Sequence, residues 1–172
     1  MDEVWVAMRG RHGGADEVPL PRPGTGRLWL CGKHFVGPDP ERALAATAAT
    51  TMVCLNERFE LADRYPGYVG WLERNRPARA VWHPVADLHV PPLAEARALL
   101  DDLRRRVLAG EGLLVQCGAG MGRAATIAAG LLVVMGLPPA AALGAVAASR
   151  PGAGPEAGPQ ADLLEALAGG AS

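Results

Sequence analysis

Lysine is almost missing from this chain. Among 172 residues only Lys33 is a lysine, and the other basic residues are arginines. With Ala, Gly and Pro abundant, this fits a high-GC coding bias, so an arginine gains meaning from its position and not from its presence. Charge of either sign is also missing in bulk: 17 basic residues against 18 acidic leave a net charge of −1. That gives no electrostatic footprint for a nucleic-acid or acidic-membrane partner. Cysteine is scarce and odd in number. Cys31, Cys54 and Cys117 lie far apart, which excludes a disulfide framework and suits reduced thiols. No His, Cys, Asp and Glu cluster has metal-ligand spacing, so neither metal nor other cofactor is expected. The opening MDEVWVAMRG carries acidic residues where an export signal needs positive charge, and a cytoplasmic chain is the expectation. Residues 124–149 carry no charge, a run long enough to raise a membrane span. Gly136-Leu137-Pro138-Pro139 breaks that run, so two buried helices joined by a tight turn are expected instead.

What is present is an alternation. Short β-type runs occur at 4–8 (VWVAM), 27–31, 50–55, 78–85 and 112–117. Helical patterns follow at 40–50, 93–108, 123–135, 139–149 and 160–168. In the longest, Leu93, Ala96, Leu99, Leu100, Leu103 and Val107 form one apolar stripe. Strands alternating with helices predict one α/β domain over 1–172, with a central, mostly parallel sheet of four or five strands and helices on both faces. The strand 112–117 is apolar on both faces and belongs in the centre. Residues 9–26, rich in Gly and Pro, are expected to be irregular. Residues 150–160 form a Pro/Gly connection to the last helix.

The segment LLVQCGAGMGRAAT, residues 113–126, concentrates the chemistry. A cysteine and an arginine six positions apart are expected by chance about 0.3 times in a chain of this composition, so context decides. Cys117 ends a strand and a helix starts near Arg123, and ligand sites of open α/β sheets lie at such strand ends. Gly118, Gly120 and Gly122 allow successive N–H groups to turn inward and form a nest for a tetrahedral oxyanion. The helix N-terminus adds partial positive charge, which favours both an anion and a thiolate. Arg123 offers a planar fork for two phosphate oxygens. Such a loop can hold a phosphate while aiming a thiolate at its phosphorus.

These residues resemble the signature loop of the cysteine-based protein tyrosine phosphatases, in particular small dual-specificity enzymes similar to kinase-associated phosphatase. HPVADLHVPP (83–92) resembles that family's mobile acid loop, and SRPGAGPEAGPQ (149–160) its Arg-Pro segment. The resemblance covers a core of about 26–168. It implies a phosphotyrosine phosphatase-like fold and a phosphocysteine intermediate on Cys117. It also implies phosphate binding by Arg123 and the amides of Gly118, Ala119, Gly120, Met121 and Gly122, a general acid at Asp87, and water positioning by Gln160. His89 is the reserve candidate for the acid. Cys31 and Cys54 are expected in the core, as are Trp29, Trp71 and Trp82.

Two positions depart from the family pattern. Gln116 stands where histidine usually precedes the nucleophile, and Ala124 where a Ser or Thr hydroxyl usually assists the leaving thiolate. Thr126 lies two residues too far to replace it. The expected activity is therefore phosphomonoester hydrolysis on phosphotyrosine, phosphoserine or phosphothreonine proteins, or on a small phosphorylated metabolite, by a monomer. The alternative is a catalytically weak pseudophosphatase that binds phosphate as an interaction module.

Overall fold

The computed structural model describes residues 13–170. Five strands form one sheet: β1 (Ala15–Val18), β2 (Arg27–Gly32), β3 (Thr51–Cys54), β4 (Ala80–Trp82) and β5 (Gly112–Cys117). Their order is β1-β2-β5-β3-β4, with β1 antiparallel to β2 and every other pair parallel. Eight helices lie among the described residues: α1 (Lys33–Val36), α2 (Pro40–Thr47), α3 (Phe59–Ala62), α4 (Pro66–Asn75), α5 (Leu93–Leu108), α6 (Arg123–Val134), α7 (Pro139–Ser149) and α8 (Gly158–Gly169). The doubly covered α/β sheet is the expected fold, with β5 at its centre.

Strand period two sorts the core into two layers. Leu28, Leu30, Val53, Leu113, Val115 and Cys117 face one layer, packed under α5, α6, α7 and α8. Cys31, Met52, Cys54 and Leu114 face the other, beside Phe35, Leu44, Tyr68 and Leu72 from α1, α2 and α4. Helix α6 is buried from Arg123 to Val133, as a helix apolar all round must be. The uncharged stretch is thus two helices. Gly136 (φ 113°) ends the first, its N–H on the Val133 carbonyl and the Leu137 N–H on that of Leu132, a Schellman closure. No helix among the described residues is long and apolar enough to cross a membrane.

Two regions differ from the sequence expectation. The run at 4–8 lies outside the described residues, and the edge strand is β1, within the stretch expected to be irregular. Its buried residues are Ala15 and Val18, which pack in opposite layers, while Asp16 and Glu17 pair with Arg150 and Arg27, so the strand carries no apolar alternation to read. Between 56 and 77, where no element was expected, α3 and α4 form. Pro66 opens α4 at a position that tolerates its missing N–H, and Tyr68, Val69, Trp71 and Leu72 give it a buried face. Trp71 is core as expected. Trp29 and Trp82 are instead half-buried at the margin of the second layer, overlaid by Arg27 and by Arg58 and Arg76 respectively.

Candidate active site

The parallel strands β2, β5 and β3 end together, and β5 delivers Cys117 to that edge, almost wholly buried at 3% exposure. The next five residues form a loop whose carbonyls are held by the surrounding framework. Gly118 O accepts from Lys33 N–H, Ala119 O from the Arg150 guanidinium, Met121 O from Gly154 N–H, and Gly122 O from Thr126. With the carbonyls turned outward, the amides turn inward. Gly120 N–H reaches Cys117 Sγ at 3.3 Å, while those of Gly118, Ala119, Met121 and Gly122 find no backbone acceptor among the described residues. Only glycine fits at 120. Its φ is +76°, and a Cβ there would stand 2.5 Å from the carbonyl carbon and oxygen of Cys31.

Arg123, the first residue of α6, returns its guanidinium to this loop and is 4% exposed. Glu60 grips it from α3, with Nη1 and Nη2 each donating to one carboxylate oxygen at 2.8 Å. Nη1 also donates to Val85 O at 2.8 Å. Burial opposes charge on Arg123, but Glu60 outweighs it and holds the guanidinium protonated. Burial likewise favours neutral Glu60. The Arg123 bonds, the Glu57 N–H and the Asn56 amide outweigh that, and its carboxyl lies below the ordinary range.

Asp87 follows β4 on the loop beside this pair. Its Oδ1 lies 3.5 Å from Arg123 Nε and accepts from Leu88 N–H at 3.0 Å, with the side chain 72% exposed. His89 stands two residues further along the same loop. Its Nδ1 meets the backbone oxygen of Asp87 at 2.7 Å. Gln160, the residue expected to position a water, lies in the first turn of α8. It is buried, its Oε1 accepts from Glu156 N–H at 2.7 Å, and its Nε2 donates to His89 O at 3.4 Å. With both ends of its amide engaged by backbone, it ties the loop that carries Asp87 to α8.

Gln116 points into the opposite layer. Tyr68 donates to its Oε1 at 2.9 Å, and its Nε2 donates to Asn56 Oδ1 at 2.6 Å and to Cys117 O at 3.0 Å. An uncharged amide thus orders the backbone of Cys117 from behind. Ala124 is fully buried, and Thr126 spends its hydroxyl proton on Gly122 O at 2.8 Å. Cys31 and Cys54 pair in register with Gln116 on neighbouring strands, on the layer away from Cys117. Among the described residues no group of three or more His, Cys, Asp or Glu is arranged to hold a metal ion.

The chemistry open to this edge is the capture of a tetrahedral oxyanion against a sulfur. Residues 30–158 match the protein family described as "Swiss Army Knife protein, DSP-PTPase phosphatase domain". The chain belongs to this phosphatase family. Solved structures with the same fold include other phosphatases. Tk-PTP in its active form is 25% identical with a TM-score of 0.65, over 86% of this chain and 93% of that one. Kinase associated phosphatase is 19% identical with a TM-score of 0.72, over 90% and 95%. Human DUSP28 is 24% identical with a TM-score of 0.62, over 83% and 91%. A sequence search of curated proteins returned no match.

Of the residues singled out in the sequence, Cys117, Arg123 and the 118–122 loop meet at one edge, with Asp87 beside them. The sequence reading passed over Glu60, Asn56, Tyr68 and Arg150. Topology held a signal for the first two: β3 lies beside β5, so whatever follows β3 opens onto the same edge. For Arg150 the resemblance of 149–160 to an Arg-Pro segment marked the place but no role. It joins the Ala119 carbonyl to Asp16 on β1, a contact across most of the chain.

Proposed function

We propose that this DSP-PTPase family member hydrolyses phosphomonoesters through a phosphocysteine on Cys117. The observation that carries the proposal is the loop after β5, with its carbonyls bound outward, Gly120 N–H on the sulfur and the Arg123 guanidinium beside it. In the first step the Cys117 thiolate attacks phosphorus. The S–P bond forms as the ester P–O bond breaks, and Asp87, protonated, gives its proton to the leaving oxygen. The loop amides and Arg123 hold the three equatorial oxygens. In the second step the Asp87 carboxylate takes a proton from water and the water oxygen bonds phosphorus. The S–P electrons return to sulfur, and inorganic phosphate leaves. Asp87 Oδ1 lies 3.5 Å from Arg123 Nε, within reach of a phosphoryl group held there. In support, the kinase associated phosphatase structure carries a serine in place of its catalytic site cysteine.

The loop interior, Gly-Ala-Gly-Met-Gly, holds no Lys or His to engage further phosphates. A monophosphate on a protein tyrosine, serine or threonine, or on a small metabolite, suits it best. Turnover of para-nitrophenyl phosphate by wild type, lost in Cys117→Ser, tests the proposal, and equal turnover by both proteins refutes it. One observation favours a second reading, a phosphate-binding pseudophosphatase. Ala124 supplies no hydroxyl to Cys117 Sγ, whose one hydrogen bond among the described residues comes from Gly120. Phosphate binding without turnover in wild type would select it.

A further inference from the structure

We infer that the substrate is a phosphorylated polypeptide, one of whose apolar side chains seats in a groove beside the loop that carries Asp87. The inference rests on the proposed function and narrows its substrate to a protein. The groove opens between the start of α5 and one face of α8, with a volume of about 460 Å³. Pro92 and Leu93 form one wall. Pro159, Asp162, Leu163 and Ala166 form the other, and their spacing i, i+3, i+4, i+7 puts them on one side of α8. Leu93 heads the apolar stripe of α5. The stripe continues through Ala96, Leu99, Leu100, Leu103 and Val107, each no more than 6% exposed, whereas Leu93 is 42% exposed. Leu88, next to Asp87, is 46% exposed. Apolar surface thus stands open at both ends of 88–93, a stretch that begins beside the candidate acid.

Place and charge together favour a peptide. Val90 also lines the groove and lies three residues from Asp87, so the two are at most about 11 Å apart along the chain. Gln160 joins the two sides, through His89 O on one and Glu156 N–H on the other, which fixes the groove relative to the acid. An extended peptide held by its phosphate covers that distance in about three to five residues. Proline at 92 and 159 fixes φ, so the walls are preorganised and little order is gained on binding. Among the described residues Asp162 is the one charged residue lining the groove, and it has no hydrogen bond or ion pair there. Arg97, one turn beyond Leu93, is engaged by Ala166 O at 3.1 Å. A leucine next to a Lys or Arg meets both the apolar walls and the free carboxylate. An anionic lipid surface would meet that carboxylate with like charge.

The test is kcat/KM on synthetic peptides, phosphotyrosine and phosphothreonine in parallel, with Leu-Arg placed about three to five positions to either side in an alanine background. Para-nitrophenyl phosphate is the control for every protein. In wild type the best-placed leucine should raise kcat/KM roughly 10-fold over alanine, chiefly through KM, as partial burial of a leucine implies. Leu93→Ser should erase that gain. Asp162→Arg should instead invert the preference for Arg over Glu beside the leucine, by about 2- to 5-fold each way, a reversal that loss of structure does not produce. Both variants should hydrolyse para-nitrophenyl phosphate as wild type does. Wild type indifferent to leucine at every position, or a preference that survives both variants, overturns the inference and leaves the phosphatase proposal standing. Dimerisation or vesicle binding that Leu93→Ser abolishes, without any peptide preference, gives the groove another occupant and also overturns it. Wild type inactive on para-nitrophenyl phosphate and on every peptide overturns the proposed function as well.

Discussion

Three cysteines sit in three adjacent strands of one sheet, and a single step of register separates the inert pair from the candidate nucleophile. Cys31 on β2 and Cys54 on β3 lie opposite Gln116, all three fully buried. Burial, the largest influence on both, pushes the Cys54 thiol up to about 12 and that of Cys31 well above its usual value. Cys117 is the next residue along β5. The period of two turns it to the other face, and the end of the strand places it under the loop amides. The same side chain thus serves as packing at one register and as a candidate reagent at the next. Burial fraction does not separate them, since Cys117 is only 3% exposed. Position does: Cys117 ends β5 under the 118–122 loop, with Gly120 N–H on its sulfur and the Arg123 charge nearby.

The comparison breaks most visibly at the nucleophile. Cys117→Ser should lower para-nitrophenyl phosphate turnover by at least about 10³-fold, the scale seen when a nucleophile is removed, while vanadate or phosphate binding persists. Arg123→Lys should also abolish turnover, because a point cation cannot replace a fork. Steady-state assays alongside isothermal titration check both, and appreciable turnover by the serine variant would sink the mechanism.

A smaller effect is expected one residue past Arg123. With no hydroxyl on the departing thiolate, breakdown of phosphocysteine should be the slow step, so rapid mixing should show a burst of about one equivalent of product per site. Ala124→Ser should raise steady-state turnover by about 10- to 100-fold, the value of a charge-assisted hydrogen bond of ~1.5–3 kcal/mol, and leave the burst rate nearly unchanged. Gln116→His need not help, because residue 116 touches the Cys117 backbone and not the sulfur. The absence of both burst and gain would shift the account toward the pseudophosphatase.

Smaller still are the effects at the other two cysteines. Cys54→Ala and Cys31→Ala should each cost about 0.5–3 kcal/mol of stability, the usual range for core substitutions, with kcat little altered. Their raised thiols also set an alkaline dependence. A neutral thiol whose folded value exceeds its unfolded one contributes stability that is complete below the unfolded value, near 8.5. That contribution fades as pH rises from there toward about 12 for Cys54. Urea melts between pH 8 and 11 should therefore show falling stability, by at most about 1.4 kcal/mol per pH unit for each thiol. The slope should be shallower in Cys54→Ala. An unchanged slope would mean that burial is not what holds this thiol neutral.

The fold was largely legible because its signals are local. The continuous apolar run of β5 and the stripe of α5 are written in adjacent residues, and Gly136 with Pro138 and Pro139 marks the turn that divides the uncharged stretch. The edge strand β1 was not legible, since its two buried residues face opposite layers and the partners of Asp16 and Glu17, Arg150 and Arg27, lie elsewhere in the chain. At the site, the spacing of Cys117, three glycines and Arg123 could be read directly because one loop carries them all. Glu60 could not, because its meaning comes from β3 lying beside β5, a fact of topology. Gln160 was singled out by its place in the chain, which could not show that its amide contacts the backbones of Glu156 and His89.

The central claim is that the sulfur at this register accepts the phosphoryl group, and it can be observed directly. Wild-type protein mixed with excess para-nitrophenyl phosphate, quenched within the burst and digested under conditions that preserve thiophosphate esters, can be mapped by mass spectrometry. The account predicts one phosphoryl group on the peptide carrying Cys117 and none on those carrying Cys31 or Cys54, with Ala124→Ser showing less of the adduct at steady state. Turnover with no phosphoryl group on Cys117 at any quench time, or with the group on another residue, would contradict it.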